Sequence, residues 1–422
     1  MPFASKSMIG AACSALILLS GLTSPASVSA APAAAKPVTI MLDGYPLPFP
    51  AAPFVTQGTT MVPFRAIAEA MNIQVAWSNA THTLTAKKTR DGSTKEVILR
   101  SGDKKAQVDG QTKQLSVAPV LKNGSVFVPL SFFSTQFGAS VGWNGASQTV
   151  SITSPVEPLH TEAFYAIRSY GEIGLVPKFD AVSFGWTRID PATGNLTLGG
   201  KDFYWPKPDG DITPASIVQD AVESGGKASL MAAAMDGNGE LTKLLHDSTK
   251  QDDAIDQLIA LAADNHFTGI TLDFEGLGLT GDYKEAQQSY NAFVRKLDRR
   301  AEASNLTLTL ALHPLNGSFR GYDYKTLASY ADEIIIMAYD YNMDTGTPEP
   351  MEKVDEAIQL ALKQVPKSKL VLGISMGSEN AQSVNGKIGL AKRYGLKGIA
   401  VWRLGIIGDE TIKAMQKSIV LN

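Results

Sequence analysis

From about residue 160 to the C-terminus, short runs of apolar, often β-branched residues alternate with stretches whose apolar positions recur at helical spacing. Eight runs read as strands: 163–167, 181–185, 228–234, 269–274, 306–312, 333–339, 370–374 and 398–402. Among the intervening segments, 214–224 opens on Thr213-Pro214 and closes at Gly225-Gly226, and 283–304 carries Tyr290, Phe293, Val294 and Leu297 on one helical face. Strands that are apolar almost throughout and are joined by helices are parallel strands covered on their outer face. Eight such units in about 260 residues predict an α/β fold of the (β/α)8 TIM barrel type, which takes about 250. A doubly wound open sheet is the runner-up, but no strand here is followed by a G-x-G-x-x-G or phosphate-loop turn.

Residues 38–154 follow another pattern, an internal repeat. Val62-Pro63 recurs as Val128-Pro129 and Val75-Ala76-Trp77 as Val141-Gly142-Trp143, both displaced by 66 positions. Each copy reads as a strand, a proline-led amphipathic helix (64–71 and 130–137) and a hairpin around the tryptophan, a small α+β repeat domain. A large ring at equivalent places in two copies is expected to fill core. Between the two parts, Ser154-Pro155-Val156-Glu157-Pro158 reads as a linker, because two close prolines hold the chain extended.

Composition narrows the function classes. The chain has 422 residues, 44% of them hydrophobic and 19% charged, and its net charge of −3 offers no basic field for nucleic acid or anionic membrane. Lys6, the apolar run from Met8 to Leu22 and Val28-Ser29-Ala30 before Ala31-Pro32 read as a signal peptide over 1–30, so a secreted protein, extracellular or wall-associated, is expected. No later stretch reaches the roughly 20 apolar residues of a membrane span. The single cysteine, Cys13, falls inside that leader, which leaves the rest of the chain without thiol chemistry. His160, His246 and His266 lack metal-ligand spacing, and no metal or cofactor is expected.

The chemistry concentrates in Thr268-Gly269-Ile270-Thr271-Leu272-Asp273-Phe274-Glu275. Alternation along a strand puts Thr271, Asp273 and Glu275 on one face. Two acids side by side at a strand end can push each other's pKa apart and keep one protonated near neutrality, as a general acid requires. In a barrel the C-terminal strand ends face the active site. That rule gathers Asp273 and Glu275 from the fourth strand, Tyr339 and Asp340 from the sixth and Trp402 from the eighth, with His313 and Asp236 as weaker members. Trp186, Tyr204, Trp205 and Tyr341 are candidate sugar platforms near the mouth.

On these residues the second part resembles glycoside hydrolase family 18, the chitinases and related N-acetylglucosamine-specific hydrolases. The likeness is carried by 269–275 against the family's DGxDxDxE strand, by Met337-Ala338-Tyr339-Asp340 against its M-x-Y-D and by Trp402 in the final strand. It implies that Glu275 protonates the glycosidic oxygen and that Asp273 orients the substrate's 2-acetamido group, whose carbonyl oxygen attacks the anomeric carbon. Tyr339 would donate a hydrogen bond to that group. Asp340 and Met337 would line the subsite over a Trp402 floor, in a substrate-assisted, retaining mechanism. The first part resembles the copper amine oxidase N-terminal-like, or stalk, domain. Its only histidine, His82, makes no copper site, and an attachment or spacer role at the cell wall is expected.

Thr268 and Thr271 stand where the full family motif has aspartates, so the inner carboxylate is absent and Asp273 is expected to titrate lower than in a full-motif enzyme. About 23 residues separate Ile374 from Gly398, too few for the insertion that deepens many chitinase grooves, and a shallow, open cleft follows. The leading reading is a monomeric, secreted hydrolase of β-1,4-linked N-acetylglucosamine glycans, with chitin or peptidoglycan as partner. The alternatives are a catalytically silent carbohydrate-binding protein and a surface scaffold in which the repeat domain carries the function.

Overall fold

The computed structural model describes residues 37–90, 92–342 and 346–422; the leader expected over 1–30 lies outside them. Eight parallel strands close into a barrel: β1 (His160–Tyr165), β2 (Ala181–Ile189), β3 (Lys227–Met235), β4 (Gly269–Glu275), β5 (Thr307–Leu312), β6 (Glu333–Ile336), β7 (Leu370–Ser375) and β8 (Gly398–Trp402). β1 closes the ring by pairing with both β2 and β8. Helices Pro214–Glu223, Ser248–Asp264, Tyr283–Ala303, Met351–Leu362 and Val384–Tyr394 cover it. The proline-led helix at 214 is fixed by a reciprocal cap between Thr213 and Ser216.

Two apolar layers result from strand alternation. On β4, Ile270, Leu272 and Phe274 face outward, where the Phe274 ring packs 5.3 Å from Phe293 and 5.9 Å from Tyr290 of the covering helix. Inside the ring a smaller cluster of Phe164, Met231, Ala233, Ala311, Ile335 and Met337 fills the lumen. β6 stops at Ile336, three residues before the end expected from the sequence. Residues 337–339 turn sharply, with Ala338 N bonded to Ile336 O and Tyr339 N to Met337 O.

The repeat in the first part folds into three small sheets. Its two copies meet directly: Thr59–Pro63 pairs antiparallel with Ser125–Pro129, so that Val62 lies opposite Val128. Helices Phe64–Ala70 and Leu130–Gln136 start immediately after Pro63 and Pro129. Neither tryptophan lies inside this core, although Trp77 packs against it. Trp143 is 51% exposed, and Trp77 is half-buried with its indole N–H donated to Asn79 Oδ1 at 2.7 Å. Smaller residues, among them Ile67, Val128 and Phe133, already close the interior, which leaves the hairpin rings on its rim.

The segment 154–158 is pinned to both parts. Lys392 donates to Pro155 O at 2.6 Å, Arg90 to Val156 O at 2.7 Å, and Glu157 pairs with Lys88. Arg393 of the barrel donates to Leu42, Tyr45 and Pro46 carbonyls of the first sheet. Gly389 lets Asp43 approach so closely that a Cβ there would lie 2.4 Å from the Asp43 Cβ.

At the base of the barrel, His160, Glu162 and Glu333 bring one ligand atom each within 4.8 Å of one another. Lys397 supplies the cation of this cluster by pairing with Glu333, while His160 Nε2 lies 3.4 Å from the same carboxylate. His160 is thus structural.

Ring closure makes one glycine indispensable: a Cβ on Gly398 would sit 2.1 Å from the His160 carbonyl oxygen of β1. The obstacle is the His160 carbonyl, fixed backbone of β1 that cannot rotate away. Gly398→Ala is expected to cost about 3 kcal/mol or more, read as a lower urea midpoint; an unchanged midpoint would show that β1 and β8 can separate freely.

Candidate active site

The residues singled out on β4, β6 and β8 converge at the C-terminal end of the barrel. Asp273 lies between Ala233 on β3 and Ala311 on β5 in register, and these two small side chains leave the space in which its carboxylate sits. It is 4% exposed, and its Oδ1 accepts no hydrogen bond from a described residue. Glu275, one step nearer the rim, keeps 30% of its side chain exposed. Tyr339 and Trp402 lean on the lumen cluster that contains Met337, and the Trp402 ring meets Phe164 edge-on at 5.3 Å.

Electrostatics separate the two acids from ordinary carboxylates. Burial, and then the neighbouring Glu275, push Asp273 well above its usual range, while Arg188 opposes the shift. Burial, then Asp340, raise Glu275 to about 7, again against Arg188. Burial, followed by Asp273 and Glu275, keeps the Tyr339 hydroxyl protonated far above its usual value. The arrangement therefore holds a proton on Glu275 near neutral pH within a wall of hydrogen-bond donors and apolar surface.

His313, at the end of β5, belongs to this group, with Nε2 3.5 Å from Glu275 Oε2. Burial lowers its pKa to about 4, so at neutral pH it faces Glu275 as a neutral ring stacked on Phe319. Asp236 does not belong. Its oxygens are taken by the Thr242 backbone N–H and hydroxyl at 2.8 and 2.7 Å.

Asp340 stands at the exposed rim in a left-handed conformation, φ 62°. A buried ladder holds it there. Glu349 accepts the N–H groups of Asp340 and Tyr341, Glu379 accepts the N–H of Glu349, and Lys387 donates to both the Glu349 carbonyl and Glu379.

Two residues escaped the sequence reading. Arg188 reaches the acids from the far end of β2, anchored on Asp202 at 2.5 Å with its guanidinium 4.6 Å from the Phe203 ring centre. The sequence pattern predicts that this strand ends at Gly185. It continues through a bulge after Phe184, which interrupts the alternation that would have signalled Arg188. Glu162 is the second, an acid inside β1 just before the apolar run expected as that strand.

Of the candidate platforms, Trp186 is buried in the outer layer against Phe184, Trp205 and Phe267. Trp205 is half-buried beside it, and the Tyr341 hydroxyl is bound to Asn316. Tyr204 alone stays open, beside a recess of about 200 Å³ at the ends of β1 and β2. A second recess of about 290 Å³ lies beside Arg188 and Met235. A further recess of about 750 Å³, at the junction of the two parts, contains none of the candidate residues.

Residues 224–386 match the family model "Glycosyl hydrolases family 18" and residues 41–152 match "Copper amine oxidase N-terminal domain". The family 18 match stops short of β1, β2 and β8. A "Putative sporulation-specific glycosylase YdhD" of Bacillus subtilis is 25% identical over 141 residues, 32% of each chain. A "Cortical fragment-lytic enzyme" of Bacillus anthracis is 30% identical over 139 residues, 31% of each chain. The chain thus spans about a third of the length of these curated relatives. A chitinase from Chromobacterium violaceum shares the fold, with TM-score 0.51 and 21% identity over 61% of this chain and 98% of that one.

The raised value of Glu275 has a consequence for stability. The folded state holds this proton more tightly than the unfolded chain, so the group's contribution falls as pH climbs from about 4.5 to about 7. Glu275→Gln is expected to gain thermal stability relative to wild type across that window. Parallel melting curves at pH 4 and pH 8 with the same offset between the two proteins would contradict the buried, proton-holding pair.

Proposed function

From a chain that carries a family 18 glycosyl hydrolase domain behind a copper amine oxidase N-terminal domain, we propose a secreted glycoside hydrolase that cleaves β-1,4-linked N-acetylglucosamine glycans of the chitin or peptidoglycan type. The observation that carries this reading is the pair at the end of β4: Asp273 buried between two alanines, and Glu275 at the rim with its proton retained to about pH 7. An acid so poised protonates the glycosidic oxygen as the bond breaks. Asp273 holds the 2-acetamido group so that its carbonyl oxygen closes on the anomeric carbon, and the Tyr339 hydroxyl donates to that carbonyl. Trp402 floors the subsite, with Met337 and Asp340 at its sides. Water then opens the cyclic intermediate, and Glu275 takes back a proton from it, so configuration is retained.

The names of the curated relatives favour a wall glycan among the substrates. Attachment through the first domain is supported by a groove of about 640 Å³ lined by Trp143, Phe132, Thr60 and Gln114, with no charged side chain among its lining residues. Such a surface suits a neutral, hydroxyl-rich polymer. The apolar run of residues 8–22 supports export. The threonines at 268 and 271 favour a second reading, a binding protein that has kept the cleft without turnover.

Purified wild type and Glu275→Gln, incubated with chitin oligosaccharides and with peptidoglycan and followed by mass spectrometry, separate these readings. Wild type is expected to release products whose first-formed anomer is β by NMR, and the variant to lose at least about 100-fold in kcat with sugar binding retained. Tight binding without cleavage of either glycan by wild type would establish the lectin reading.

A further inference from the structure

Inside the barrel, below the two acids, a third carboxyl is wired toward β4. Glu162 on β1 is buried, and its Oε1 lies 2.6 Å from the Ser183 hydroxyl of β2. Ser183 in turn lies 2.6 Å from the Thr271 hydroxyl of β4. All three side chains are buried. Thr271 occupies the same lumen-facing side of β4 as Asp273, two residues below it. Asp273 Oδ1 is itself a buried acceptor without a partner among described residues.

Resting on the hydrolase reading above, we propose that Glu162 is a positioning residue for Asp273, acting through the Ser183 and Thr271 hydroxyls as a relay whose direction depends on whether Glu162 carries a proton. Each hydroxyl has one proton to give. When Glu162 is ionised, Ser183 donates to it and Thr271 donates to Ser183, so the Thr271 proton points away from Asp273. When Glu162 is protonated it donates to Ser183 and Ser183 donates to Thr271, which frees the Thr271 O–H dipole to turn toward the carboxylate above; among the described residues no hydrogen bond joins Thr271 to Asp273, so the relay acts on Asp273 through the field of that dipole in the dry lumen. Two hydroxyls in series in a dry lumen must turn together, because a half-turned chain leaves two donors facing each other.

The groups around Glu162 allow it to switch in the working range. Burial and the nearby Glu333 of β6 raise it to about 7, while the Ser183 hydroxyl, His160 of its own strand and Lys397 ahead of β8 oppose the shift. Glu333, although buried, is held down at about 2 by His160, 3.4 Å away, and by Lys397, which donates to it, so it stays ionised throughout. Of the two carboxyls in this basal cluster, Glu162 is therefore the one that gains and loses a proton near neutrality.

The test compares the full chain with Glu162→Gln and Ser183→Ala by two readouts. The first is the pH titration of the Asp273 carboxyl carbon by NMR of aspartate-labelled protein, assigned with Asp273→Asn, which requires no turnover. Wild type is expected to show a second inflection near pH 7 that both variants lose. The second is the pH profile of kcat on whichever glycan is cleaved: the alkaline limb is expected to change from a slope of about −2 to about −1 in both variants, with KM little altered. A purely structural role would lower the melting temperature and leave both curves unchanged in shape, which overturns the relay. If Glu162→Gln fails to fold, Ser183→Ala decides alone, since it removes one oxygen and no charge. An NMR inflection lost in the variants of a protein that cleaves no glycan would uphold the relay and overturn the hydrolase reading; cleavage with unchanged curves would do the reverse.

Discussion

A ring of eight parallel strands has a lumen only as wide as the side chains that fill it, and every polar group placed there must find its partner on a neighbouring strand. Much of the chemistry of this protein follows from that constraint. Asp273 fits because Ala233 and Ala311 flank it. Enclosure raises its affinity for a proton, and the Glu275 charge adds to that shift across a medium that screens poorly. The same enclosure forces Glu162, Ser183 and Thr271 into one chain of hydrogen bonds. At the mouth, where water returns, Glu275 and Asp340 are open to a ligand, and Arg188 tempers both acids of the pair.

Parallel strands also divide the barrel by end. The base carries Glu333, His160 and Lys397, a charged set that ties β1, β6 and the lead into β8 together. The mouth carries side chains with unspent hydrogen-bonding capacity. Between them the buried ladder from Lys387 through Glu379 and Glu349 fixes the loop after β6, which explains how Asp340 is kept at φ 62° at the rim. The first domain is joined to the barrel by backbone carbonyls gripped by Arg393 and Lys392, and the proline-rich segment between them is a strap clamped at the Pro155 and Val156 carbonyls and the Glu157 carboxylate.

Much of the fold was legible because its signals are local. The eight strand candidates coincide with the eight strands, since each is an apolar run bounded by helix caps or glycines, and the two copies of the repeat share Val-Pro before a helix. Where the reading erred, a distant neighbour decided. The tryptophans of the repeat stayed on the rim because other residues had already closed that core. Trp186 turned outward with Phe184, away from the cleft. Strand β6 ended early because residues 337–339 bend to meet the β5 end, where Met337 N bonds Leu312 O.

The sequence alone determined the periodicities, and through them the barrel, the repeat and the presence of Asp273 and Glu275 on one face of one strand, because alternation is a property of the strand itself. It also carried Tyr339, Asp340, Met337 and Trp402 as strand-end residues. Arg188, His313 beside Glu275, and the path from Glu162 to Thr271 came only with the tertiary structure. Glu162 and Thr271 lie 109 positions apart in the chain, and only ring closure, which sets β1 beside β2 and both around a shared lumen, links them through Ser183.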